Sequence, residues 1–329
     1  MATLDQYVGM FARLNRAPGR IWSAATLKKA PHKPVLLLAV IDLVSRGVFT
    51  SPILDATGDL VEANELFNGY WRRVAPPGHS SSIAFPFSRL HNESFWMLIS
   101  PTGDPFDSAV LNSITNVTQL RRHAAAAQLD EELFRSMQET ASRDALRAAL
   151  LSSCFSPEAQ SALAEQIAIN DQAYVYSQSL YERAHQPLIK EIFDDADSYK
   201  PAARDQGFRR VVVAAYDHRC SLCGLRIITP EGHTAVDAAH IVPWSRSQND
   251  DVRNGMALCK LCHWAFDRGM VGVSCDYHVI ASRQIGVDPN VPGALQTMEG
   301  RGILSPGDRD LWPAQKFLSW HRKEFRLGL

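Results

Sequence analysis

Two C-x-x-C pairs, Cys220-Ser221-Leu222-Cys223 and Cys259-Lys260-Leu261-Cys262, constrain this chain more than any other feature. Two such knuckles offer four thiolates, the soft tetrahedral set that Zn²⁺ prefers, and the bound ion stabilises a module with a small core. The pairs predict a structural zinc site of Cys220, Cys223, Cys259 and Cys262. A plain zinc ribbon separates its knuckles by roughly 15–20 residues. Here thirty-five residues, 224–258, lie between them. That insertion holds Asp237-Ala238-Ala239-His240-Ile241-Val242-Pro243 and, further on, Arg253-Asn254-Gly255, while His263 and Phe266-Asp267 follow the second knuckle. The other two cysteines have no partner pair. Cys154 in a helical apolar stretch and Cys275 in an expected strand read as core residues.

A length of 329 residues suits two domains. With 46% hydrophobic and 21% charged residues, the chain is globular and has no low-complexity tract. Its longest apolar run, residues 35–44, includes Asp42 and is half a membrane span, so it reads as a core helix rather than a membrane anchor. The start of the chain has no basic stretch followed by an apolar segment, so a cytoplasmic location is expected, where paired cysteines more often hold metal than form disulfides. The net charge of −1 argues against a general nucleic-acid coat. Residues 1–90 carry ten Lys/Arg against six Asp/Glu, and residues 200–329 carry seventeen against thirteen. Residues 166–199 carry two against six. Two mildly basic ends fit two DNA-facing modules, and ordinary solvated surfaces fit them too.

Helical periodicity covers residues 4–14, 33–46 and 62–74, with Pro34 at the start of the second helix, where its missing N–H is harmless. Residues 80–90 and 94–100 read as strands. From about 119 to 170 the pattern is almost wholly helical, and Ser156-Pro157-Glu158 is a helix start with Ser as N-cap. The expected fold class is α+β, with a helical-plus-small-sheet domain over 1–165 and a C-terminal domain over 206–329. A helical or extended linker over 166–205, with the acidic run Asp194-Asp195-Ala196-Asp197, joins them.

Between the knuckles the sequence resembles the HNH family, the ββα-metal nucleases, in its McrA-like branch. His240, Asn254 and His263 stand at the family's three signature positions in order, and the likeness covers roughly residues 206–275. The resemblance implies that His240 is the general base, that Asn254 holds its ring by hydrogen bonding, and that His263 ligates a catalytic Mg²⁺ or Mn²⁺. The knuckles' zinc is then structural and separate. The chemistry suits these types: a neutral imidazole takes a proton from water near neutral pH, and a divalent cation stabilises the attacked phosphate and departing oxygen. Many members place an acid just before the base histidine, where this chain has Ala239. Asp237 or Asp267 is then the second metal ligand.

In the first ninety-six residues, Lys29-Ala30-Pro31-His32-Lys33-Pro34, Phe85-Pro86-Phe87-Ser88-Arg89-Leu90 and Phe95-Trp96 resemble the sulfur-binding domain of phosphorothioate-dependent (type IV, McrA-like) restriction endonucleases, over about residues 5–165. That resemblance implies an apolar cup of Phe85 and Pro86 for sulfur, which is larger, softer and less well hydrated than oxygen. His32, Lys33 and Arg89 would hold the DNA backbone or read base edges, with Arg72 and Arg73 adding phosphate contacts and Ser88 counted among the DNA-binding residues. On a strand, Phe85 and Phe87 would share one face and Pro86 and Ser88 the other, one face being core. The implied protein is an endonuclease that binds double-stranded DNA carrying a backbone phosphorothioate and cuts nearby as a homodimer. Two alternatives stay open. The first domain instead reads a modified base such as methylcytosine, with Trp22, Tyr70, Trp71 and Trp96 forming a cage. Or the chain is a non-catalytic zinc-bearing DNA-binding protein.

Overall fold

The computed structural model describes residues 2–56, 60–188, 198–283 and 295–328. The chain divides into two compact units, Met1–Ala168 with Thr229–His233, and Ile169–Ile228 with Thr234–Leu329. Each is a mixture of helices and small antiparallel sheets, as the α+β expectation has it. The acidic run Asp194-Asp195-Ala196-Asp197 lies outside the described residues.

The first unit is organised by α2 (His32–Ser45), whose residues Val35 to Ile41 are each at most 1% exposed. Pro34 lies in its first turn, where backbone N–H groups have no intrahelical acceptor. Around it pack α1 (Leu4–Ala12), α3 (Val61–Val74), α4 (Ala84–Arg89), α5 (Ser108–Ser113), α6 (Val117–His123), α7 (Glu131–Gln138) and α8 (Thr140–Cys154). A three-stranded antiparallel sheet runs in the order β1 (Ile53–Asp55), β3 (Ala126–Leu129), β2 (Trp96–Ile99). Leu54, Ala127 and Leu98 are in register and buried, while Ile53, Gln128 and Met97 form the outer face. Asp42 is wholly buried in α2, accepting from the Tyr70 hydroxyl at 2.5 Å and from Arg147 at 2.6 Å, so its charge is compensated inside the core.

Two expected elements differ. Residues 84–89 of the expected strand 80–90 form helix α4. Pro86 is third in that helix, a first-turn place where proline costs no hydrogen bond, and the Ser82 hydroxyl accepts from Ala84 N–H just upstream. The alternation of faces inferred for Phe85–Ser88 therefore does not hold. Within the stretch expected to be wholly helical, Ala126–Leu129 is instead the central strand, because pairing on both edges outweighs the helix preference of Ala124-Ala125-Ala126-Ala127.

The helix α9 (Pro157–Ala184) begins as expected, with Ser156 Oγ accepting from Ala159 N–H. Its second half is no linker. Tyr176, Leu180 and Ala184 belong to the core of the second unit together with Phe208, Val211 and Val212 of α10 (Pro201–Ala215). That core also holds the hairpin of β4 (Val236–His240) and β5 (Gly255–Cys259), followed by α12 (Lys260–Asp267), with the short α11 (Trp244–Ser247) in the connection. A second hairpin, β6 (Val271–Val273) and β7 (Val279–Ala281), and α13 (Gln315–Phe325) complete it. Cys154 is buried as expected. Cys275 is not in a strand but exposed in the turn of the second hairpin. Among the described residues no helix is long and apolar enough to cross a membrane.

Candidate functional site

The four knuckle cysteines meet. Their sulfurs all lie within 4.8 Å of one another, with Cys220, Cys259 and Cys262 buried. Zinc–sulfur bonds of ~2.3 Å in a tetrahedron set sulfurs about 3.8 Å apart, and Cys223 Sγ and Cys259 Sγ are 3.8 Å apart. The first knuckle closes through Gly224, at φ +79°, whose N–H reaches the Cys220 carbonyl. The second bridges the end of β5 and the start of α12. Hydrogen bonding, first from Cys262, draws the Cys220 thiol down to about 5, while the same contact and burial push Cys262 well up. Four cysteine sulfurs this close form a tetrahedral donor set, and Zn²⁺ fits it.

Antiparallel pairing of β4 and β5 places His240 opposite Gly255. A side chain at 255 would meet Val212 at 2.7 Å and Phe208 at 2.9 Å, so glycine is what lets α10 lie against the hairpin. Phe208 then stacks on the His240 ring, centroids 4.0 Å apart and planes 5° from parallel. On the ring's edge, Nε2 lies 2.7 Å from Asp250 Oδ1. Asp250 is 2% exposed, and its other oxygen accepts from the Tyr176 hydroxyl at 3.0 Å and from Arg204 Nε at 2.8 Å. Burial, and next the charge of Asp250, raise the Tyr176 hydroxyl far above its ordinary range, so it stays a donor.

His240 and His263 open onto one cleft of about 400 Å³, which Trp244, Asp267 and Glu324 also line. His263 and Asp267 are one turn apart on α12, Nε2 and Oδ2 3.5 Å from each other. Adjacent ligands of an octahedral ion bound at ~2.1 Å stand roughly 3 Å apart. The imidazole nitrogen of His263 and the carboxylate oxygen of Asp267 are two donors that a divalent cation can share. His321, also on the cleft, is held down to about 4 by burial and adds no positive charge near neutral pH.

Asp237 is not beside His263. It is exposed, pairs with Arg209 at 2.8 Å and does not line the cleft, because strand alternation turns it away from His240. Asn254 does not touch the His240 ring. It is wholly buried, accepts from Val242 N–H at 2.9 Å, and donates to the carbonyls of Val242 and Asn249 at 3.1 and 2.9 Å. Its backbone carbonyl also takes Ile241 N–H. Asn254 thus splints the loop that leaves His240. Replacing it by alanine orphans two buried backbone groups, Val242 N–H and the Asn249 carbonyl, each worth about 1–3 kcal/mol, and leaves the Val242 carbonyl with Ser247 Oγ alone. The expected outcome is a marked fall in the second unit's melting temperature, checked by calorimetry, and an unchanged melt rejects the splint.

In the first unit, His32 sits in an aromatic cluster. Its ring lies 4.7 Å from Trp71, 4.7 Å from Phe85 and 5.2 Å from Trp22, with His79 packed against Trp22. Burial, and next His79, hold His32 down to about 4, so it is neutral. Arg89 lies over the Phe85 ring at 5.1 Å and donates to the carbonyls of Leu111 and Asn112. Phe85 is half-buried, Pro86 is buried and Arg72 exposed, while Arg73 pairs with Gln166 and Glu165. Two expected DNA contacts do not survive. Lys33 is 7% exposed with its ammonium on Glu93 at 2.5 Å. Ser88 is wholly buried, its hydroxyl on the Phe85 carbonyl. Nor does the four-aromatic cage assemble. Trp22 and Trp71 lie together, but Tyr70 serves Asp42 and Trp96 packs edge-on against Phe87.

Sequence reasoning missed Asp250, Phe208, Arg204 and Tyr176. None sits at a motif spacing, and Tyr176 and Arg204 fall in the stretch read as linker.

The family model described as HNH endonuclease matches residues 220–274, so the chain carries an HNH endonuclease domain there. Among solved structures, the chain is similar to the modification-dependent TagI restriction endonuclease at 22% identity, with 36% of each chain covered and a TM-score of 0.27. It spans about a third of that chain's length. It is also similar to the sulfur-binding domain of SprMcrA complexed with phosphorothioated DNA, at 19% identity, covering 52% of this chain and 96% of that one with a TM-score of 0.38. A comparison with curated proteins finds no match.

Proposed function

We propose that this protein is a modification-dependent endonuclease that binds double-stranded DNA carrying a backbone phosphorothioate and hydrolyses a phosphodiester bond nearby. The observation that carries the nuclease reading is the meeting of His240 and His263 in one cleft of the zinc-stapled unit. His240 takes a proton from water, whose oxygen attacks phosphorus as the bond to the 3′-oxygen breaks. The departing oxygen takes a proton from solvent. A divalent cation, when held by His263 and Asp267, supplies charge stabilisation for the phosphate and the leaving oxygen. The cation and the zinc keep separate donors.

The sulfur reading rests on the grouping of Phe85 with neutral His32 and with Arg89. A half-buried ring beside an uncharged imidazole is poorly hydrated and suits sulfur better than a charged oxygen, and exposed Arg72 adds attraction for the backbone. Two cuts, one per strand, need two such centres, so the active form is proposed to be a homodimer on DNA.

The test uses phosphorothioated, methylated and unmodified duplexes of one sequence, with Mn²⁺, with EDTA, and with Mn²⁺ restored. Cutting of the sulfur-bearing duplex alone, reversibly stopped by EDTA, is expected. Cutting of all three duplexes, or of the methylated one alone, overturns sulfur recognition. Binding without cutting under every metal condition overturns the nuclease.

A further inference from the structure

We propose that Asp250, held by Arg204 and Tyr176, is the positioning residue of the His240 base and fixes the ring in the tautomer that keeps Nδ1 free for the cleft. This rests on the nuclease reading of the same site.

An ion pair that served folding alone would need only one oxygen of Asp250. Oδ2 already has two donors, Arg204 Nε at 2.8 Å and the Tyr176 hydroxyl at 3.0 Å. Oδ1 is directed instead at His240 Nε2, at 2.7 Å. A carboxylate has no hydrogen to give, so Nε2 carries the ring hydrogen and the lone pair of the neutral ring is on Nδ1. That nitrogen has no hydrogen-bond partner among the described residues, and the ring lines the cleft. The face of the ring is clamped as well, by Phe208 at 4.0 Å. Arg204 is itself fixed, its guanidinium 3.4 Å above the ring of Trp244, another cleft residue.

The arrangement does two things. It aims one nitrogen, and it leaves a negative charge beside the ring at the moment the ring gains a proton from water. Asn254, expected to orient the ring, has its side chain occupied by the backbone of its own loop. Asp250 fills the place that Asn254 leaves open. The partly buried Arg204 cation beside it explains how a carboxylate 2% exposed is tolerated there.

The direct test is ¹⁵N NMR of the full-length protein labelled at histidine, with the His240 signal assigned by its loss in His240→Gln. A neutral ring with hydrogen on Nε2 is expected, and a ring with hydrogen on Nδ1 overturns the proposal without any variant being needed. The second arm is Asp250→Asn, whose amide can turn its NH₂ toward Nε2 and invert the tautomer. The expected loss in kcat on DNA is about 10²–10⁴-fold, the range for a misaligned base, with KM and zinc content unchanged. Loss of structure alone would move KM and zinc content as well, and an Asp250→Asn protein with wild-type kcat overturns the proposal. If His240→Gln cuts like the wild type, the assignment of His240 as the base fails separately, since the tautomer is read without activity.

Discussion

Replacing His240 by alanine should lower the single-turnover cleavage rate by about 10²–10⁴-fold while leaving DNA affinity and zinc content unchanged. The size follows from what the side chain is asked to do. General-base transfer contributes about 10²–10⁴-fold, and the alanine removes at once the base and the group that Asp250 and Phe208 hold in place. The zinc knuckles are elsewhere in the fold, and the cluster around His32 and Phe85 belongs to the other unit, so neither affinity nor metal content has reason to move. The measurement is rapid-quench cleavage of a labelled phosphorothioated duplex beside a binding titration in Ca²⁺. A variant that binds and still cuts within tenfold of the parent removes His240 from the chemistry.

Cys259→Ser should be the more destructive change. A structural zinc contributes apparent binding energies of about 10–16 kcal/mol, as much as the whole stability of an ordinary domain. Cys259 is 6% exposed, ends β5 and caps the helix that presents His263. Losing this ligand removes the staple and the anchor of the cleft together. The expected results are zinc well below one ion per chain by mass spectrometry, loss of the second unit's cooperative melt, and loss of cutting. Cys275→Ser, at an exposed turn away from the cluster, serves as the control and should keep its zinc. Full zinc occupancy in Cys259→Ser would show that the four sulfurs do not form one site.

Legibility of the fold followed the range of the forces involved. The helices at 32–45 and 61–74 were readable because apolar spacing, and in the first of them Pro34 in the first turn, act within a few residues. Strand β3 was not readable. Its alanine-rich segment is locally a good helix former, and only pairing with β1 and β2, far apart in sequence, makes it extended. Helix α4 was misread because Phe85-Pro86-Phe87 has the aromatic content of a strand, while proline at the third helical place carries no penalty that composition reveals.

What the sequence by itself determined was the chemistry that depends on residue type and short spacing. The four cysteines, together with His240 and His263 at the positions proposed for base and metal ligand, all fall in a stretch of fewer than fifty residues. What only the tertiary structure decided was how that chemistry is held. Asp250 reaches His240 across 10 residues, Arg204 reaches Asp250 across 46, and Tyr176 does so across 74. A hydrogen bond needs atoms within about 3 Å, and spacing along a chain cannot report that distance once the chain has folded back on itself. The same physics assigned Asn254 to its loop and took Lys33 and Ser88 away from the surface.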